Sequence, residues 1–419
     1  MVAAAALLLP ATVQAATVSL ENGTIVYRGE GSEGLSLIVS TYKPWDDTKT
    51  YLALSDSGAD RQHIVSGTPC SMDTNFGAVL CPLDPSQPLR VEGSSGNDSL
   101  EIFSTDVSDA KPIALHGNAG NDEIEDAFGG GAGRVVTGGP GNDVVLGYHG
   151  NDSIDGGDGD DQVRGGAGDD EMWGDHYKGS ADLLDGGPGT DTTEEWGIPS
   201  DLTSQPRTNV TLDGVANDGR PGEGDNVIGI ERIRVSVVGD YVGTDGADEI
   251  KVINPGNEGP SSLQGRSGND ILVAEDFDDM VDGGAGDDMV EGGRGNDTVT
   301  GGPGRDTIYG DATSSHCSWY SCKIPFGNDT INARDGEVDN IDCGIGTDTA
   351  VVDTVDIVAN CENVGATAPS GGGGGGGGGA VARSRARRRC ARSPRRGSSS
   401  PARSRAASSA CATRRSPSA

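Results

Sequence analysis

Aspartate recurs at a fixed spacing in two stretches of the chain. From Gly138, the nine-residue units GGPGNDVVL, GYHGNDSID, GGDGDDQVR and GGAGDDEMW follow without a break and set Asp143, Asp152, Asp161 and Asp170 in phase. From Gly265, GRSGNDILV, AEDFDDMVD, GGAGDDMVE, GGRGNDTVT and GGPGRDTIY do the same for Asp270, Asp279, Asp288, Asp297 and Asp306. Flanking copies add Asp98, Asp122, Asp191, Asp248 and Asp329. Carboxylates beside glycine turns are oxygen donors for a hard cation. Calcium takes about six to eight oxygens at roughly 2.3–2.6 Å, whereas magnesium demands a stricter octahedron and keeps its waters, so calcium suits this donor set better. Catalytic groupings are missing: His63, His116, His149, His176 and His316 are scattered, and the chain has no HExxH, GxSxG or P-loop motif.

Each unit also says how its aspartate is held. Glycines at positions one, two and four allow a tight turn with positive φ, and the last three residues read as a short strand with position eight facing inward. The inward residues are then Val145, Ile154, Val163, Met172, Leu272, Val281, Val290, Val299 and Ile308. Two units make one coil, so alternate units stack as parallel strands about 4.8 Å apart. This sets Asp143 over Asp161 and Asp152 over Asp170, and likewise Asp270, Asp288 and Asp306 in one column and Asp279 and Asp297 in another. Stacked carboxylates repel unless a cation lies between them, and counting such pairs gives at least five calcium sites. Asp160, Asp169, Asp278 and Asp287 at position five either add ligands or only deepen the field. Some units depart from the pattern. Arg134 takes position six in GGGAGRVVT, Thr193 takes the inward place in GGPGTDTTE, and Ala274 and Phe277 replace two glycines beside Asp279.

The pattern GGxGxDxUx, with U a large apolar residue, resembles the glycine-rich nonapeptide of the RTX, or hemolysin-type, calcium-binding family over residues 93–194 and 243–351. The resemblance implies an all-β fold, a parallel β-roll or β-helix solenoid with calcium between successive turns.

The composition fits such a fold. The chain has 65 acidic and 31 basic residues, 69 glycines and 4% aromatics. Twelve of the basic residues lie between Arg383 and Arg415, leaving residues 1–369 with a net charge of −46. Self-repulsion of that size disfavours a compact state without bound cations and makes nucleic acid a poor partner for the main body.

Six segments are expected. Residues 1–16 resemble a signal peptide, with Val13-Gln14-Ala15 as a cleavage pattern. Residues 17–92 form a β-rich N-terminal cap, 93–194 the first roll block, 195–242 a β-rich connection, 243–364 the second block with its C-terminal cap, and 365–419 a glycine linker and disordered basic tail. No other segment is apolar for the roughly 18 residues a membrane helix needs. Eight cysteines suit an oxidising compartment, with Cys70–Cys81, Cys317–Cys322 and Cys343–Cys361 as the local pairings and Cys390 and Cys411 unassigned. An acidic loop carrying Asp213, Asn217, Asp218, Glu223 and Asp225 offers a further cation site, against the plainer reading of a solvated loop.

The expected function is that of a secreted, non-enzymatic calcium-binding protein whose roll folds on calcium, with a surface, adhesion or scaffold role. A cell-wall or other extracellular polymer is a candidate partner, and the oligomeric state is left open. A glycan-modifying solenoid enzyme and an RTX-type toxin fragment are the alternatives.

Overall fold

The computed structural model describes residues 15–31, 34–42, 51–56, 62–66, 70–73, 78–82, 88–103, 113–126, 133–174, 180–195, 207–253, 259–311 and 326–367. Most of the segment expected as a signal peptide, the basic tail, His176, His316 and the cysteines at 317, 322, 390 and 411 lie outside them. Every regular element among the described residues is a β-strand, as the all-β roll requires.

The strands form three sheets of 16, 10 and 8. From the strand Leu89–Glu92 onward their pairings are parallel. In the uninterrupted blocks the register advances by two units, with Val145 opposite Val163 and Leu272 opposite Val290. All nine expected inward residues are buried. Burying a side chain of this size contributes about 1.5–3 kcal/mol, and such residues stack down the interior as one narrow seam. Thr193 continues the seam as a polar substitute: it is half-buried, and its hydroxyl donates to the Met172 carbonyl at 3.1 Å.

The largest sheet is a wall common to both blocks. Its strands run from Ser153–Asp158 through Thr192–Glu195 and Arg232–Val235 to Ile357–Ala359 without a break in pairing. The facing wall is split. One short sheet ends at Asn226–Ile228, the other begins at Thr208–Thr211, and the change falls inside the connecting segment. Tyr241 is buried at this switch, its hydroxyl donating to the Val237 carbonyl at 2.8 Å. Gly239 makes room for the ring, because a Cβ there would lie 2.6 Å from Tyr241 Cζ.

The N-terminal segment closes one end. Ala15–Glu21 pairs antiparallel with Thr24–Gly29, and Ser36–Tyr42 pairs antiparallel with Tyr51–Asp56, which pairs in turn with Ala78–Pro82. Thr24–Gly29 and Ser36–Tyr42 also pair in parallel with the first roll strands, so cap and roll share one interior. Tyr27, Leu35, Leu54, Val79 and Leu100 fill it, and the expected Cys70–Cys81 disulfide crosses the antiparallel pair of Ser71–Asp73 and Ala78–Pro82. At the other end, the Cys343–Cys361 disulfide joins adjacent coils.

Candidate metal centre

The turns before each strand place position six in columns, linked by a recurring hydrogen bond. Asp143 N–H donates to Asp161 Oδ1 at 2.7 Å, and Asp152 N–H to Asp170 Oδ1 at 2.7 Å. In the second block Asp270 donates to Asp288, Asp288 to Asp306 and Asp279 to Asp297, at 2.9, 3.0 and 2.8 Å. All the stackings expected from the two uninterrupted blocks are therefore present. The same link carries Asp98 to Asp122, Asp122 to Asp143, Asp170 to Asp191, Asp248 to Asp270 and Asp297 to Asp329.

Position-five side chains make the reverse connection. Asp169 N–H donates to Asn151 Oδ1, Thr190 N–H to Asp169 Oδ1, and Arg305 N–H to Asp287 Oδ1. Here the later coil donates to the earlier one. Asp160, Asp169, Asp278 and Asp287 are thus engaged in stitching exposed turns together.

The second carboxylate oxygen defines the site. In fourteen column members Oδ2 is buried and accepts no hydrogen bond: Asp122, Asp143, Asp152, Asp161, Asp170, Asp191, Asp270, Asp279, Asp288, Asp297, Asp306, Asp329, Asp339 and Asp348. A buried oxygen without a partner costs free energy, and its repetition in register marks a missing positive charge. The position-one glycines leave space beside it. A Cβ on Gly138 would lie 2.4 Å from both Asp143 Oδ2 and the Gly156 carbonyl oxygen, and one on Gly283 would lie 2.6 Å from Asp288 Oδ2 and 2.5 Å from the Gly301 carbonyl oxygen. A carboxylate oxygen and a carbonyl oxygen of a neighbouring coil converge in the same way at Gly117, Gly147, Gly265 and Gly292, a donor set that fits calcium. Among the described residues, no three His, Cys, Asp or Glu side chains gather into a group able to hold a metal, so main-chain carbonyls must complete any shell.

The electrostatics agree. Burial, reinforced by neighbouring carboxylates and opposed by the backbone N–H bond, pushes Asp161 and Asp297 up to about 8 and Asp122, Asp270 and Asp306 up to about 7. For Asp279, burial and the nearby Asp278 and Asp276 carboxylates do the same, to about 8. Without a cation these groups hold protons near neutrality.

Several column members escape a strict search for nonapeptides. Asp182 follows an insertion, yet it accepts the Asp161 N–H at 2.9 Å. Asp339 and Asp348 accept from Asp306 and Asp329 at 2.8 and 2.9 Å. What survives in each is an aspartate two residues before a buried apolar residue: Leu184, Ile341 and Ala350. The acidic loop of the connecting segment does not converge. Asp218 accepts the Thr211 and Val227 N–H groups, Glu223 pairs with Arg220, and Asp213 accepts the Val215 N–H. Asp225 alone among these joins a column, accepting the Asp182 N–H at 2.9 Å. Phe277 and Tyr148 take glycine places with φ of 90° and 63°, so the turn shape persists at some cost in strain.

The sequence model described as RTX calcium-binding nonapeptide repeat (4 copies) matches residues 129–163, 137–172, 256–281, 264–299 and 282–313. No curated protein matches the chain. Residues 129–172 and 256–313 thus carry RTX calcium-binding nonapeptide repeats.

Proposed function

We propose that the roll folds on binding several calcium ions, and that the ligands are the position-six carboxylates together with glycine-turn carbonyls. Asp122, Asp143, Asp152, Asp161, Asp170, Asp191, Asp270, Asp279, Asp288, Asp297, Asp306 and Asp329 take that role in the matched and flanking units, with Asp339 and Asp348 extending it. The observation that carries the reading is the row of buried Oδ2 atoms without partners, eleven of the fourteen beside a glycine cradle. A bound calcium ion supplies the positive charge that these oxygens lack. Because the ligand set exists only when coils are stacked, binding free energy becomes folding free energy. Extracellular modules work at about 10⁻⁴–10⁻³ M calcium, and a roll of that affinity stays unfolded until it meets such concentrations.

A secreted, non-enzymatic role at the cell surface, as an adhesin or scaffold, is the wider reading. It is supported by the leader-like start, by two disulfides of a kind that persist in oxidising compartments, and by the match to calcium-binding repeats. No helix of the described residues is long and apolar enough to cross a membrane. Far-ultraviolet circular dichroism of the full chain tests the folding claim: β signal should appear at millimolar calcium and vanish in excess chelator. A spectrum that ignores chelator overturns it.

A further inference from the structure

Three turns differ from those fourteen in how the column is neutralised. At Asp98, Oδ2 accepts the Ser94 N–H at 2.5 Å, while Oδ1 accepts the Ser94 hydroxyl at 2.8 Å and the Leu35 N–H. At Asp248, Oδ2 accepts the Thr244 N–H at 2.7 Å and the Thr244 hydroxyl at 3.0 Å. Ser94 and Thr244 both stand at position two, where Gly139, Gly157, Gly166, Gly284 and Gly302 take positive φ and do not donate to the aspartate. Neither Ser94 nor Thr244 is among the residues with positive φ. Their amides and hydroxyls turn onto the carboxylate instead. Glu275, also at position two and also without positive φ, has no hydroxyl, and Asp279 in its turn keeps a buried Oδ2 without a partner.

The third turn swaps the charges. Arg134 holds the position-six place, its N–H donating to Asp152 Oδ1 at 2.7 Å. Asp126 stands level with the position-one Gly147 of the next coil, next to the Glu125–Leu146 register pair. Arg134 Nε lies 2.8 Å from Asp126, and both side chains are 1% exposed. A guanidinium of the protein occupies the region that elsewhere needs an added cation, and a carboxylate fills the glycine cradle.

We infer that Ser94, Thr244 and the Asp126–Arg134 pair decide which turns take calcium, and that these three turns take none. This rests on the calcium reading of the other columns. The placement has a logic: Asp98 heads the column of the first short wall, Arg134 precedes Asp152 in that of the long wall, and Asp248 leads into the second block. The fourth column opens at Ser261, whose N–H donates to Asp279 Oδ1 at 2.6 Å, but each of the other three runs of calcium sites starts from a turn that is complete without metal. It offers the following coil a finished edge on which the first ion-dependent turn can form.

The test is calcium stoichiometry of the full chain at saturation, by equilibrium dialysis and metal analysis. Ser94→Gly and Thr244→Gly should each gain about one calcium ion per protein, and so should the double variant Asp126→Gly/Arg134→Asp, which restores the glycine–aspartate pattern. Asp98→Asn and Asp248→Asn should leave the count unchanged, whereas Asp288→Asn should lose at least one ion. No gain in the glycine variants, or a loss in Asp98→Asn or Asp248→Asn, overturns the inference and leaves the calcium reading standing. A wild-type chain that binds no calcium removes the calcium reading itself.

Discussion

The N-terminal segment and the roll share an interior but are held by different means. In the cap, antiparallel hairpins surround a core that includes Tyr27, Leu35, Leu54 and Val79, and the Cys70–Cys81 disulfide closes one of them. Where the cap meets the roll, the buried Asp98 has protein donors on both oxygens. In the roll, each nine-residue unit buries one medium-sized apolar side chain and one carboxylate with an oxygen left bare. On the proposed calcium reading, the cap is complete as a polypeptide and the roll only with its ions, which makes thermodynamic stability in this chain regional.

Removing calcium should break the comparison open most widely. Hydrogen exchange in excess chelator should show amides of residues 133–174 and 259–311 losing all protection, while those of 16–29 and 89–92 keep theirs. Uniform loss along the chain would show that cap and roll form one cooperative unit.

Acidity should substitute in part for the metal. The folded-state carboxyls of Asp161, Asp279 and Asp297 are raised to about 8, above the ordinary unfolded value of about 3.8. Groups of that kind favour the folded state fully below the unfolded value, and the contribution is lost as pH climbs through the folded one. Calcium-free protein should accordingly show more roll structure near pH 4.5 than at pH 8, followed by circular dichroism. The opposite trend would mean that these carboxyls are not buried in the calcium-free protein.

Smaller effects sharpen the contrast. Leu272→Ala, in the thin seam of the second block, should cost about 2–5 kcal/mol, seen as a rise in the calcium concentration needed for half-folding. Leu100→Ala, where cap and roll meet, should lower the melting temperature of the calcium-free cap instead. Reducing or replacing Cys70–Cys81 should destabilise the cap by about 2–3 kcal/mol and leave the calcium midpoint of the second block unchanged. A shifted midpoint would show that cap stability is passed along the solenoid.

Much of this was legible because the repeat is strict. Position eight, position six and the two-unit register follow from counting, and the inward Val163 or Val290 cannot change face without moving its aspartate. Legibility fails where chain length and spatial register part company. Asp182 lies 21 residues beyond Asp161 and Asp329 lies 32 beyond Asp297, yet each makes the link that 18 residues make elsewhere. Nor does spacing show that Ser94 and Thr244 turn their donors inward, since this depends on the sign of one φ. Arg134 was readable as a departure at position six, but Asp126 was not readable as its partner. The switch of short walls at residues 207–242 was invisible as well, because both walls are built from the same kind of short strand.

That tolerance of unequal spacing makes the carboxylate link a ruler independent of sequence distance. Coils connected over 18, 21, 24 or 32 residues close with bonds of 2.7–3.0 Å, so extra chain can leave between two coils without disturbing either. A lineage of such proteins can then lengthen by duplicating whole coils and diversify by lengthening single turns, two changes that the scaffold keeps separate. The solenoid sets how far apart the inserted segments stand, and their own sequences remain free to vary.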